Sequence, residues 1–394
     1  MSVSVAPALS SHVRSSGSAR VGRRAAARRV LPVLDNRGTG LPPLAPTSLL
    51  SRLRPLARQI GLSSLAGCGL GTIPGTLPTI VRRGDVAALY GVIRCRSPWV
   101  CPHCAPRLAA RRVEVLRPQV ARLLCQGYRP WLITLTVRHS RGSSLDELFG
   151  LLSRAWGRVT SGRAWSAIKS AGVEYLRGYD VTHGAHGWHP HIHTVLFFSP
   201  AVSDPGTEAR RLLDRWISAI RSLGGDVLRD GLDAQPCADA EKAARYAAHM
   251  SGVFEAAAGV KKECKSPTSR TVFDLAQAAV RGDEVAVRLW SQYAIATKGK
   301  RALVCSQGLS LGDERDASDK AAELDAEQAL EESAETVAVI YPAALVRVDP
   351  FLADVLEAAA RSASDCRAAL TRILGPPEPG LWSAPVVIAR YGVV

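Results

Sequence analysis

The sequence lacks several features that would each assign it to a familiar class. No apolar run approaches the length that spans a bilayer, which excludes a membrane-embedded chain. The N-terminal stretch has no hydrophobic segment of the kind that a secretory signal needs, although its Arg, Ser and Ala content superficially resembles an organelle transit peptide. No Gly-x-x-x-x-Gly-Lys-Ser/Thr loop is present, so we expect no built-in helicase. These absences predict a cytoplasmic protein with no membrane partner.

Acidic residues are fewer than basic residues. The chain has 50 Lys and Arg residues against 35 Asp and Glu, which gives a net charge of +15 and favours a polyanionic partner, with nucleic acid as the default. Its 394 residues are enough for two or three domains. Composition predicts a disordered basic arm over 1–62, a cysteine-rich zinc module with a helix over 63–127, the main domain over 128–310 and an acidic, helical tail over 311–394.

Four of the nine cysteines have the spacing of a structural zinc site: Cys68, Cys95, Cys101 and Cys104. A Cys-x-x-Cys pair supplies two of the four ligands of a tetrahedral ion, and two upstream thiolates supply the other two. The alternative is a redox pair, but no thioredoxin-like βαβ context surrounds it. His103 would replace Cys68 if that residue were not a ligand.

A helix is predicted directly after this cluster, over 106–125, because apolar residues repeat at three-four spacing. Arg107, Arg111 and Arg112 are predicted to lie on its other faces, where they either contact DNA phosphates or form a solvated surface.

The segment 188–198 carries His189, His191 and His193 at alternate positions before a β-branched and aromatic run. In a strand these three side chains share one face, while the alternate residues face a core. Converging neutral imidazoles bind divalent transition ions, although a single strand histidine is usually only hydrogen-bonded. A preceding strand, 173–182, should form an antiparallel hairpin with this segment and bring Asp180 within reach of the metal.

An Ala-rich segment, 239–250, is predicted to be helical and places Tyr246 and His249 on one face. Tyrosines at such positions are mostly packing residues, so Tyr246 by itself does not indicate a nucleophile.

The order of these motifs over residues 65–310 resembles rolling-circle plasmid replication initiators (Rep proteins) of the HUH endonuclease superfamily, close to the actinobacterial plasmid type. The resemblance rests on the cysteine segment 95–104, the Thr-Leu-Thr strand end at 134–136, the histidine segment 187–193, the tyrosine helix and the segment 299–303. It implies an α+β HUH fold, in which helices flank a central antiparallel sheet, with a small N-terminal zinc module.

The resemblance also implies residue roles. His191, His193 and Asp180 would bind Mg²⁺ or Mn²⁺. Tyr246 would attack single-stranded or extruded plasmid origin DNA, leaving a 5′-phosphotyrosyl link and a 3′-hydroxyl primer, and would later rejoin the strand. Two departures from the family pattern concern His249, which stands where such proteins usually have Lys, and Glu241. The latter lies one residue away from the position of a second-step Glu.

The partners that this interpretation implies are origin DNA, a host helicase and the replication machinery, with a homodimer as one arrangement. Two alternatives stay open. An HUH transposase or relaxase would use similar residues on other DNA targets. A non-catalytic, zinc-dependent DNA-binding regulator would use the histidine site only structurally.

Overall fold

In the computed structural model, residues 44–237, 269–311 and 335–384 are described. All of them fall in one unit, which spans Pro32–Val394. The described residues form helices and antiparallel sheets, which confirms the predicted mixed fold at that level. No helix of these ranges is both long and apolar enough to cross a bilayer.

Helices and strands alternate irregularly along the described ranges. The α-helices are α1 (Pro46–Gln59), α2 (Ser63–Ala66), α3 (Cys104–Cys125), α4 (Leu145–Val159), α5 (Gly162–Ser170), α6 (Pro205–Ser222), α7 (Val272–Ala279), α8 (Glu284–Thr297), α9 (Leu345–Val348), α10 (Leu352–Arg361) and α11 (Ala363–Leu374). The strands are β1 (Thr79–Arg83), β2 (Val86–Tyr90), β3 (Arg129–Thr136), β4 (Val173–Gly184), β5 (Gly187–Phe198), β6 (Asp233–Pro236), β7 (Leu303–Cys305), β8 (Glu335–Ile340) and β9 (Trp382–Ser383).

Several predicted elements are confirmed. Helix α3 begins two residues before its predicted start, at Cys104, and ends as predicted at Cys125. Helix α4 begins after Ser144, whose hydroxyl accepts a hydrogen bond from the Glu147 backbone N–H at 3.4 Å and so caps the helix. The hairpin of β4 and β5 is also present.

The main sheet has the strand order β6-β3-β5-β4-β7 within the described residues. Its two faces are covered by different helices. Ile192 and Leu196 of β5 pack into the larger core with residues of α4 and α6, whereas Val195 packs against the buried stripe of α3 on the opposite face. Because side chains alternate along a strand, His191 and His193 share the α3 face with Val195.

A second sheet in the described ranges has the strand order β2-β1-β8-β9, with α10 and α11 packed on it. Strand β8 pairs with β1, so residues 335–384 are part of a folded layer. The predicted acidic, helical tail over 311–394 is corrected in this respect. A strand of six residues at Glu335–Ile340 gives only a weak local signal, and its partner strand is remote in sequence.

The N-terminal boundary also differs from the prediction. Residues 46–59 form α1, in which Leu49, Leu50 and Leu53 are buried, although a disordered arm was expected to extend to residue 62. These leucines follow the three-four spacing of a helix face. Pro46 occupies the first helical position, where proline is tolerated. The remaining domain limits stay predictions.

Helix α1 is tied to the C-terminal part of the chain by a buried ion pair. The Arg54 guanidinium donates two hydrogen bonds of 2.7 Å to the Asp349 carboxylate. It also donates to the carbonyl oxygens of Ala66 at 2.6 Å and Cys68 at 2.7 Å. The bidentate pair with Asp349 fixes the guanidinium. Its further hydrogen bond holds the backbone of Cys68, the first predicted zinc ligand.

Candidate metal centres

The first centre lies on the α3 face of the main sheet, where β4 and β5 pair. Ligand atoms of Asp180, His191 and His193 all lie within 4.8 Å of one another. The strand register sets this arrangement, because Asp180 is directly opposite His191 and Gly178 is opposite His193. The three ligand residues are partly buried, and the side chains of His193 and Asp180 keep 14% and 13% of their surface exposed.

The orientation of His193 is fixed by a neighbour on β3. Its Nδ1 lies 3.1 Å from the Thr134 hydroxyl, and its Nε2 lies 3.9 Å from an Asp180 carboxylate oxygen. A hydrogen bond at one imidazole nitrogen directs the other toward a metal. One carboxylate and two imidazoles, with open positions, fit a divalent ion such as Mn²⁺.

The histidine ligands belong to a longer row on β5 and the loop after β3. The ring centroids of His139 and His189 are 4.5 Å apart, those of His189 and His191 are 4.0 Å apart, and those of His191 and His193 are 5.8 Å apart. Burial, followed by the neighbouring His191 and His139, lowers the pKa of His189 to about 3. His189 is therefore neutral at physiological pH.

The second centre is the cysteine cluster. The Sγ of Cys68 lies 3.8 Å from that of Cys101 and 3.6 Å from that of Cys104, and the Sγ atoms of Cys95 and Cys104 are 3.8 Å apart. Four thiolates bound at about 2.3 Å to one tetrahedral ion would be about 3.8 Å apart. The spacing therefore fits Zn²⁺, and all four residues are free cysteines.

Backbone donors support these thiolates. The backbone N–H of Cys95 donates to Cys68 Sγ at 3.4 Å, and that of Cys104 donates to Cys101 Sγ at 3.3 Å. Hydrogen bonds from the neighbouring thiols, led by Cys101, lower the pKa of Cys68. Since Cys68 is in the cluster, His103 is not needed as its substitute, and burial lowers the pKa of His103 well below its usual value.

The three arginines that were predicted to contact DNA do not share one environment. Arg107 and Arg111 are exposed, and Arg111 pairs with Glu114 at 3.0 Å. Arg112 is instead buried, in the same stripe of α3 as Leu116. The expectation that Arg112 lies on an outer face of the helix is wrong, whereas DNA contact by these arginines remains a prediction.

The residues predicted to carry the covalent chemistry are Tyr246, His249 and Glu241. All three, with the Ala-rich helix predicted to hold them, lie outside the described residues. Their roles therefore remain predictions.

Sequence reasoning missed two neighbours of the first centre. Thr134 was noted only as part of a Thr-Leu-Thr strand end, and its contact with His193 follows from the pairing of β3 with β5, where the two residues are directly opposite. His139 lies in the loop after β3, and no local pattern marks its approach to His189. Both contacts depend on tertiary structure.

The chain is also similar to known proteins. A family model described as "Replication protein" matches residues 86–344, which is more than half of the chain. The chain belongs to this replication protein family, and the resemblance to Rep proteins inferred from the sequence is thereby confirmed. The match includes both strands of the histidine hairpin and, of the clustered cysteines, Cys95, Cys101 and Cys104.

Two curated Streptomyces proteins are similar to part of the chain. One, from Streptomyces cyanogenus, is named "Neomycin resistance protein" and is 30% identical over 137 residues, covering 28% of this chain and 31% of that protein. The other, "Protein rep" from Streptomyces lividans, is 26% identical over 139 residues, covering 28% of this chain and 30% of that protein. The matched part is thus under a third of either relative. No solved structure matches the chain.

Proposed function

We propose that the chain is a plasmid rolling-circle replication initiator with an HUH endonuclease fold, which binds the origin and nicks one DNA strand. The observation that carries this proposal is the group of Asp180, His191 and His193 on paired antiparallel strands, in a member of the replication protein family. A carboxylate and two imidazoles on one sheet face suit metal-assisted phosphodiester chemistry.

The first centre would hold Mg²⁺ or Mn²⁺. A divalent ion bound there would withdraw negative charge from the phosphodiester and stabilise the charge that develops in the transition state. Thr134 keeps the His193 ring oriented, because its hydroxyl lies 3.1 Å from Nδ1. The hairpin already brings the carboxylate and both imidazoles together, so ion binding requires no rearrangement of its strands.

The covalent step is assigned to Tyr246. Its hydroxyl oxygen bonds to the phosphorus of the scissile phosphodiester and gives up its proton, the bond from phosphorus to the 3′ oxygen breaks, and that oxygen leaves as a 3′-hydroxyl with a proton in exchange. His249 orients the phosphate in place of the usual lysine, and Glu241 assists the second cleavage. Because the bond energy is kept in the phosphotyrosine, a later 3′-hydroxyl reverses the step and rejoins the strand.

The cysteine cluster serves a structural role in this proposal. Its four thiolates would occupy every corner of a tetrahedron and leave no position for a substrate. Zn²⁺ there would anchor the first turn of α3. Arg107 and Arg111 of the same helix would then contact DNA phosphates. A host helicase and replication machinery, and a second copy of the chain as a homodimer, complete the set of proposed partners.

Two alternatives use the same features. An HUH transposase or relaxase would cut with the same residues and differ only in DNA target. A non-catalytic DNA-binding regulator is favoured by the net charge of +15 and the closed cysteine cluster, and would not need Tyr246.

The deciding experiment incubates the full chain with labelled single-stranded DNA from its plasmid's replication origin, with Mn²⁺ or with EDTA, before a denaturing gel. We expect a Mn²⁺-dependent covalent band shifted by the mass of the protein. The Tyr246→Phe variant should lose this band, and His186→Ala, at an exposed hairpin-tip residue, should keep it. DNA binding with no covalent product in the wild type would favour the regulator.

A further inference from the structure

The outer half of the histidine row, His139 and His189, lies beside the first centre, because the ring centroids of His189 and His191 are 4.0 Å apart. Among the described residues, the group of mutually close ligand atoms contains Asp180, His191 and His193 and does not extend to His189. On the side away from His191, His189 contacts His139, with ring centroids 4.5 Å apart and planes at 40°. Two imidazoles bound at about 2.1 Å to one ion have centroids about 5 Å apart, so this pair is close to the geometry of shared ligation.

The fold positions this pair through a close contact between the loop after β3 and the tip of the hairpin. Arg141 Nε donates to the Ala185 carbonyl oxygen at 2.6 Å. Gly187 has φ +91°, and a Cβ added there would lie 2.9 Å from the Ser140 carbonyl oxygen. Only glycine allows the loop to approach this closely, and the approach brings His139 over the strand that carries His189.

The same contact selects the tautomer of His139. Its Nδ1 lies 3.2 Å from the His186 carbonyl oxygen, and a carbonyl can only accept, so Nδ1 is the donor. The lone pair then resides on Nε2, the nitrogen that binds metals when the other is held by a backbone carbonyl. A backbone hydrogen bond of this kind is the usual outer support of a ligating histidine.

We propose that His139 and His189 form a second metal position, selective for nitrogen-preferring ions of the Zn²⁺, Co²⁺ and Ni²⁺ class. The two centres on this face differ in donor type. The first includes the Asp180 carboxylate and accepts oxygen-preferring ions, whereas the second offers imidazole alone and discriminates against Mg²⁺. This inference goes beyond the proposed function, and it holds or fails whether or not the chain nicks DNA.

The test counts metal ions on the full chain. The cysteine cluster is first filled with one equivalent of Zn²⁺, and the protein is then dialysed against Co²⁺, whose bound amount is measured by elemental analysis. The absence of thiolate-to-Co²⁺ charge-transfer absorption confirms that Zn²⁺ is not displaced. We expect two Co²⁺ per wild-type chain and one in His139→Ala, where the ion that remains at the first centre also reports an intact fold.

Two further variants complete the design. The double variant His191→Ala/His193→Ala should also retain one Co²⁺, held by His139 and His189. His186→Ala keeps the backbone carbonyl that orients His139 and removes only an exposed imidazole, so it should bind two. One Co²⁺ in the wild type, or equal counts in the wild type and His139→Ala, would overturn the proposal, as would loss of one ion in His186→Ala.

Discussion

The two candidate metal centres are built in opposite ways. The cysteine cluster takes its four ligands from two segments, Cys68 and 95–104, and buries three of them, whereas the histidine centre takes three ligands from a single hairpin and leaves all of them partly exposed. A closed, four-coordinate site stabilises a fold, and an open site with fewer protein ligands can bind a substrate. The difference predicts that loss of a cysteine ligand lowers the stability of the protein, whereas loss of a ligand of the histidine centre lowers its rate of strand cleavage.

The largest expected effect is loss of the cysteine cluster. Cys101→Ser removes a fully buried ligand, and we expect the free energy of unfolding to fall by about 5 kcal/mol or more, because zinc binding contributes directly to folding. Zinc content and a denaturant titration would measure this. Cys125→Ser, at an exposed free cysteine outside the cluster, is the matched control and should change neither. Unchanged stability of a zinc-free Cys101→Ser protein would refute the structural role.

The histidine centre should show the converse pattern. Asp180→Asn or His191→Ala removes a ligand of the open site, and we expect strand cleavage to fall about 1,000-fold, which corresponds to several kcal/mol of lost transition-state stabilisation. The melting temperature should change little, since these residues are partly exposed. Rates measured at saturating Mn²⁺ would check this, with His186→Ala as the control. A large loss of stability without loss of metal binding would make the histidine centre structural too.

A smaller effect is expected one contact away from the ligands. Thr134→Val removes the hydroxyl that lies 3.1 Å from His193 Nδ1, and we expect Mn²⁺ affinity to fall about 10- to 100-fold. Thr134→Ser keeps the oxygen and should restore most of the affinity. Calorimetric titration of Mn²⁺ into the three proteins would separate these outcomes, and equal affinities would show that the contact does not orient the ligand.

The smallest effect concerns helix α3, which begins at the cysteine cluster. Arg111 is exposed beside Glu114, and Arg111→Gln should reduce the slope of log affinity for DNA against log salt by about one, with little change in stability. Arg112→Gln should mainly destabilise the protein, because Arg112 lies in the buried stripe of α3. If Arg111→Gln left the salt dependence unchanged, Arg111 would have no part in DNA binding.

Local patterns predicted the elements around the histidine centre because the information is contained in short segments. Alternation over residues 188–198 indicated a strand, a preceding strand indicated a hairpin, and the hairpin register placed Asp180 opposite His191. The cysteine spacing likewise indicated a cluster, which the Sγ distances support.

The parts that escaped prediction depend on partners that are distant in sequence. Strand β8 pairs with β1 across most of the chain, and the Thr134–His193 contact needs the pairing of β3 with β5. Helix α1 was missed because its arginines lower its average apolar character, although one of them, Arg54, is neutralised by a carboxylate far along the chain. No window of local sequence contains that carboxylate.

The ion pair of Arg54 and Asp349 also imposes an order on the biogenesis of the protein. The two residues are 295 positions apart. At about 5 to 20 residues per second, translation takes roughly 15 to 60 seconds to cover that interval. Of the hydrogen-bond partners of Arg54 among the described residues, the carbonyl oxygens of Ala66 and Cys68 are then the ones already synthesised. The segment that carries Cys68 therefore emerges while the Arg54 guanidinium that contacts it still lacks its carboxylate partner. The contact is complete once the C-terminal segment with Asp349 leaves the ribosome.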